Sequence, residues 1–463
     1  MTTGDPVRRW HAGLAWLPGQ GMRSDVLVEA VGQRFRAVTP GVPPVDCPPG
    51  TARLPGVTLP GLANAHSHAF HRALRGAVQA GTGTFWTWRE QMYQVASRLD
   101  PDSYLALARA VYAEMALAGI TCVGEFHYLH HGPGGTPYAD PNEMGRALVA
   151  AAAQAGIRIT LLDTCYLSGG LSTDGSQQPL SGAQLRFGDV DAHQWAVRVG
   201  ALGADEHGVL ADHARAGAAI HSVRAVPPDQ VHPMVAWSHA VGAPLHVHLS
   251  EQPAENEACQ AAYGRTPTAL LEQAGALGPR TTAVHATHVT SDDIALLGGS
   301  LTSVCLCPTT EADLADGIGP ARALASAGCP LSLGSDSHAV VDLLREARLV
   351  EMGERLASGR RGSFKAGELA LAATVAGHAC LGWPEAGELA PGAFADLVTV
   401  SLDTPRMAGM RAETALESVI FAATAADVTH VVASGRDVVA AGQHLLMDNV
   451  PAALTDAIRP LLG

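Results

Sequence analysis

The chain has 463 residues, 47% hydrophobic and 16% charged, with a formal net charge of −14. That size buries a large core and suits one big domain plus a smaller one, while the negative charge excludes a phosphate-neutralising surface and hence a nucleic-acid partner. No basic-then-apolar leader and no unbroken apolar run of about 18 residues is present, so a cytoplasmic protein with no membrane partner is expected.

Cysteine and lysine usage narrow this further. The eight cysteines lack C-x-x-C spacing and read as reduced, mostly buried thiols; Cys305 and Cys307 sit in an apolar run as core residues rather than ligands. Lys365 is the only lysine. An anionic substrate would therefore have to be met by locally placed arginines.

In chain order, residues 1–58 hold short apolar stretches at 13–17, 26–30 and 35–38 between Pro and Gly clusters, which predict short strands and turns. From 59 to 385 strand-like runs alternate with Ala- and Leu-rich amphipathic stretches, the pattern of repeated βα units. Asp100 with Pro101 predicts a helix closing before Gly119, and Asp140 with Pro141 another closing before Gly156. Strands are predicted to end near 66–68, 126–128, 163–166, 221–224, 248–251, 285–288, 307–310 and 334–336. Eight such units predict a (β/α)8 TIM-like barrel whose active residues lie at the C-terminal strand ends. Stretch 168–187, rich in Gly, Ser and Gln, reads as a loop over that face. Residues 386–463 return to β-like runs at 395–400, 428–433 and 438–439, so both chain ends are expected to form one small β-sandwich flanking the barrel.

The chemistry begins in LPGLANAHSHAFHRALR, 59–75, where His66 and His68 leave the same face of a strand. Such a pair is either a metal pincer or a hydrogen-bonded polar patch. PLHVHLSEQ adds His246 and His248 on one face and Glu251 three residues on. His248, nearer the strand end, reads as the ligand, His246 as its support, and Glu251 as a general base. In AVHATHV, His285 reads as catalytic and His288 as structural, since alternation sends them to opposite faces. Asp336 in LSLGSDSHA either completes a metal site with the three histidines or caps a helix over 340–349; metal ligation is the preferred reading.

These motifs, HSH after LPGLAN, HVHLSE, AVHATH and SLGSDS, with PGAFADLV near the C-terminal end, resemble the amidohydrolase superfamily over nearly the whole chain. HSHAFHRALRG, FWTWRE, GEFHYLHH, HSVRAV and HLSEQ are similar to its formimidoylglutamate deiminases. The resemblance implies one Zn2+ per chain, iron being the alternative metal, held by His66, His68, His248 and Asp336. Glu251 and His285 would contact the hydrolytic water, with Asp336 assisting proton transfer. Binuclear relatives use a carboxylated lysine on a mid-barrel strand, and Lys365 falls beyond the eighth strand.

The resemblance further implies a homodimer acting in histidine degradation on a small anionic amino-acid derivative, N-formimino-L-glutamate. Arg224, His221 and Tyr128 would hold its α-carboxylate and Arg89 its side-chain carboxylate. Arg89 also has the alternative of stacking on Trp86 and Trp88. Where the family often has Gln, this chain has His71, which also hydrogen-bonds but adds a titratable ring. His127, His130 and His131 are expected to act in support or at the surface. The competing function is another aminohydrolase of the superfamily, acting on a nucleobase or a different formimino amino acid. A noncatalytic barrel would have lost a ligand or the base, and this chain keeps them all.

Overall fold

The computed structural model describes residues 6–80, 83, 85–172, 174–202 and 210–462, without the side chains of 85 and 86. Apolar runs too short for helices become eight parallel strands: β1 (Leu62–Ser67), β2 (Ile120–His127), β3 (Arg158–Cys165), β4 (Ala214–Ile220), β5 (Leu245–Leu249), β6 (Thr281–His285), β7 (Ser303–Leu306) and β8 (Leu331–Leu333). Each pairs in parallel with the next. Their ends fall within a few residues of the predicted positions, as a (β/α)8 barrel requires.

Closure between β8 and β1 is sparse. One parallel bridge joins Ser67 to Asp336, with Asp336 N–H donating to His66 O (3.0 Å) and His68 N–H to Asp336 O (3.3 Å). The Asn64 amide supplements the ladder, donating to Ser335 Oγ (2.7 Å) and accepting from Ser335 N–H (2.9 Å).

The helix signals hold where side-chain chemistry was explicit. Asp100 caps Pro101–Leu117 in a capping box with Ser103, and Gly119 follows at φ +90°. The second helix starts later than predicted, at Glu143–Ala155, and ends at left-handed Gly156. Asp140 instead accepts from Asn142 N–H (2.9 Å) and Arg146 Nε (2.7 Å), building a turn ahead of the helix. Asp336 does not cap the helix after β8: that helix is Leu343–Ser358, and Asp342 accepts from Arg345 N–H at its start.

The chain ends form a second, separate sheet. Its strands run in the order Gln443–His444, Arg436–Ala440, Val428–Ala433, Leu397–Val400, Ala52–Pro60, Arg8–Leu17, Gly21–Val31, Arg34–Thr39. The sheet curls, because Phe35 N–H donates to Ala393 O (2.9 Å) and Gly392 N–H to Phe35 O (2.8 Å), just ahead of the Leu397–Val400 strand. Trp10, Val28, Phe35, Leu54 and Leu397 fill the core this encloses. Arg158 of β3 anchors the barrel to this sheet through a buried two-pronged pair with Asp396.

The chain then closes with a helix, Val450–Leu462, which the β-like reading of this region did not anticipate. It packs on Pro101–Leu117, and Arg98 Nη1 donates to Leu461 O (2.6 Å). Among the described residues no helix is long and apolar enough to cross a membrane, and all eight cysteines are free thiols.

Candidate active site

His66 lies in β1 and His68 just beyond it in extended backbone. The rings meet edge to face, 4.7 Å between centroids. His248 projects from β5 and Asp336 follows β8. His66 Nε2 is 3.1 Å from His248 Nε2 and 3.3 Å from Asp336 Oδ1, which is 3.4 Å from His68 Nε2. Tetrahedral donors about 2.1 Å from one ion would stand about 3.4 Å apart, so the spacing fits a shared metal.

The outer ring nitrogens agree with that reading. His68 Nδ1 bonds Phe126 O and His248 Nδ1 bonds His221 O, both at 2.9 Å, which leaves each Nε2 lone pair facing the centre. His66 Nδ1 is buried and unpartnered. Burial lowers the pKa of His66, His68 (to about 3) and His248, keeping them neutral as ligation requires. For Asp336 burial acts upward, but the hydrogen bond with His66 and the charge of His285 hold the carboxyl far below its usual range.

His285 stands beside this group. Its Nε2 is 3.8 Å from Asp336 Oδ2 and 3.9 Å from Glu251 Oε1, and its Nδ1 is 3.4 Å from Glu311 Oε1. Burial opposes the imidazolium, yet Glu251, the Glu311 bond and Asp336 outweigh it and raise the His285 pKa. Burial raises that of Glu251, which suits a proton acceptor that must later give the proton back. Ser250, His285, Ala286 and Asp336 all hold positive φ, at 50°, 72°, 51° and 41°. Non-glycine residues hold such angles at a cost of about 1–3 kcal/mol each where the surroundings enforce them. Here Ser250 N–H is bonded to Glu255, Ala286 N–H to Leu249 O and Asp336 N–H to His66 O.

A cavity opens over these groups. Its wall contains His68, His248, Glu251, His285 and Asp336, and every residue expected to bind substrate: His71, Arg89, Tyr128, His221 and Arg224. His66 lies beneath, fully buried. His71 Nε2 and Tyr128 Oη are 2.9 Å apart. Arg89, on helix Phe85–Arg98, donates to Tyr93 Oη and to Gly169 O (3.3 Å); the Trp86 side chain proposed to stack on it lies outside the described ones. Arg224 donates through Nε to Glu255 Oε2 (2.6 Å), with Nη2 3.9 Å from Glu251 Oε2. Stretch 168–187 forms a small hairpin, Gly170–Leu171 with Gln177–Gln178, and a helical turn, Gly182–Arg186, and it delivers Phe187 to the cavity wall.

The supporting histidines separate cleanly. His246 bonds Cys380 O (3.0 Å) and His288 bonds Asp316 O (2.8 Å). His130 and His131 bond Thr164 O and Gly188 O, each at 2.9 Å, and with His127 they stay out of the cavity wall. Cys305 and Cys307 are buried, as expected of core thiols, but the Cys307 sulfur also lies within 4.8 Å of ligand atoms of His285 and Asp336, at the floor of the site. Sequence reasoning missed Glu255, Glu311, Tyr93, Tyr166 and Phe187. Glu255 and Glu311 did carry a signal, each being an acidic residue in the first turn of a Pro-started helix just after a barrel strand.

The barrel carries histidines at the ends of its first, fifth and sixth strands and an aspartate after its eighth, and its likeness to known proteins makes it a hydrolase of carbon–nitrogen bonds. The chain belongs to the amidohydrolase family, which matches residues 57–438. Over 426 residues it is 36% identical to the formimidoylglutamate deiminase of Pseudomonas aeruginosa, covering 89% of this chain and 91% of that one. The 8-oxoguanine deaminase of the same species is 31% identical over 365 residues, 76% of each chain. An amidohydrolase from Brucella melitensis superposes with a TM-score of 0.89 at 32% identity, covering 98% of this chain and all of that one.

Proposed function

We propose that the protein hydrolyses N-formimino-L-glutamate to N-formyl-L-glutamate and ammonia, a step in histidine degradation. The observation that carries this reading is that one cavity holds three of the four candidate metal ligands, with His66 beneath them, and two arginines, in a chain with a single lysine. A substrate with two carboxylates needs two such anchors. The 36% identical formimidoylglutamate deiminase supports the same choice.

His66, His68, His248 and Asp336 would hold a Zn2+, which when bound supplies Lewis-acid polarisation and lowers the pKa of water towards about 7. Arg224, His221 and Tyr128 orient the α-carboxylate and Arg89 the side-chain carboxylate, which directs the cationic formimino group at Glu251 and Asp336. Glu251 takes a proton from the attacking water and returns it to the departing nitrogen, while Asp336 relays the second proton. His285 faces the oxygen on which charge develops. The C–N bond to the imino nitrogen breaks as a C–O bond forms, and ammonia leaves.

A second reading has its own observation: Trp88, Tyr93, Tyr128, Tyr166 and Phe187 line the cavity, and 8-oxoguanine deaminase is 31% identical. Ammonia release by zinc-loaded protein from N-formimino-L-glutamate, N-formimino-L-aspartate, guanine, cytosine and 8-oxoguanine decides between them. Fast turnover of the formimino-glutamate is expected. Turnover of a base with none of the formimino acid would sink the proposal.

A further inference from the structure

We propose that Glu311 is the positioning residue for His285, forming with it a carboxylate–imidazole dyad that aims Nε2 into the cavity. The proposal rests on the catalytic reading of His285 above. His285 ends β6 at a positive φ and is followed by Ala286 in the same region, so the chain turns out of the strand at the residue that carries the ring. Among the described residues, its Nε2 faces two carboxylates, at 3.8 and 3.9 Å. Glu311 supplies the near contact to Nδ1, 3.4 Å away.

That carboxylate is itself immobilised. Glu311 is 5% exposed, and the same Oε1 accepts the Cys307 N–H at 2.9 Å. Its short helix, Pro308–Asp313, is pinned by two neighbours: Thr309 N–H donates to Glu346 (2.9 Å), and Thr310 Oγ1 meets Ser337 Oγ (3.0 Å). The loop that follows is clamped to the loops after β5 and β6, since Gln252 donates to Asp316 and His288 bonds Asp316 O. A rigid carboxylate on one ring nitrogen fixes the plane of the ring, with Nδ1–H donated to Glu311 and Nε2 aimed at the reacting groups. Without it the imidazole could turn toward Glu251 or Asp336 and tie up the proton acceptor.

Two measurements on zinc-loaded protein test the assignment. In histidine-labelled protein, the ring N–H resonances lost in His285→Asn are expected to include one on Nδ1, moved downfield by the carboxylate, and Glu311→Gln should move it back upfield. Absence of an N–H on Nδ1, or a resonance unmoved by Glu311→Gln, would overturn the proposal. In kinetics, Glu311→Gln should lower kcat by roughly 10- to 100-fold with KM nearly unchanged, Glu311→Asp should recover part of the loss, and Glu311→Gln should add nothing in a His285→Asn background. An equal further loss in that background, or loss of zinc from Glu311→Gln, would show a general structural role and overturn it. The resonance arm needs no substrate, and the kinetic arm runs on whichever substrate the wild type turns over. Failure to release ammonia from N-formimino-L-glutamate would therefore count against the substrate reading alone.

Discussion

Arg224→Met would remove two things at once, and the structure gives each a size. In the proposed function, Arg224 makes a charge-assisted bond to a substrate carboxylate, worth about 1.5–3 kcal/mol, or roughly a 10- to 150-fold loss in kcat/KM. In the free protein it neutralises Glu255, whose side chain is fully buried and whose other oxygen holds Ser250 N–H at 2.9 Å. Stranding that carboxylate costs about 3–5 kcal/mol, and it loosens the residue directly before Glu251. Arg224→Met should therefore be both unstable and inactive, whereas Arg89→Met, which gives up bonds to a phenol and a carbonyl and strands no buried carboxylate through them, should lose activity at a smaller stability cost than Arg224→Met. The decisive protein is Arg224→Met/Glu255→Gln, which removes the stranded charge. Urea unfolding should show most of the stability regained while kcat/KM for N-formimino-L-glutamate stays depressed. If the double variant regains wild-type kcat/KM, Arg224 serves only Glu255 and the carboxylate-anchor reasoning is refuted.

Three further outcomes follow from buried groups. Arg158→Met should cost about 3–5 kcal/mol in urea unfolding by stranding Asp396, with 1% and 0% side-chain exposure for the pair, while activity per folded molecule is retained. Gly334→Ala puts a Cβ 2.7 Å from His66 Cβ and 2.9 Å from Cys307 Sγ; chelator competition should show zinc held at least about 10-fold more weakly, and unchanged affinity would refute the close-packing account. Burial pushes the Glu346 carboxyl from 4.5 up to about 8. The folded state thus favours the neutral acid, and its contribution is full below pH 4.5 and lost as pH rises through about 8. Relative to Glu346→Gln, the wild type should lose up to about 5 kcal/mol over that window in unfolding measured against pH, and parallel curves would contradict the assignment.

What was legible in the sequence was local. A barrel strand ends where an apolar run meets a polar group, so His66, His248, His285 and Asp336 marked both the fold and the site. Asp100, Pro101 and Ser103 spelled out one helix start through side-chain bonds three residues apart. The unread parts depend on contacts across many residues. Arg224 meets Glu255 across 31 positions and His285 meets Glu311 across 26, and no spacing rule joins them. Asp336 and Asp342 both precede the same helix, and only the turn between them shows that the later one caps it. The curl of the outer sheet rests on backbone bonds from Phe35 to the segment before Leu397, which leave no mark in side-chain pattern. The final helix was readable from apolar residues at 450, 453, 454, 457, 458 and 461, a helical period lost beneath the neighbouring strands.

The seam between the last and first barrel strands carries one more implication. β8 and β1 share a single backbone bridge, at Ser67 and Asp336, and three of the four proposed ligands flank it, two from one strand and one from the other. A bound ion would act as a rivet across the barrel's weakest join, so that letting go of the metal and parting the staves become the same event. Metal loss would then be slow and cooperative, and a chelator would act at the pace of the barrel's own breathing. Amide exchange on both sides of the seam should quicken together when the metal is stripped, while β3 and β4, on the far side of the ring, keep their protection.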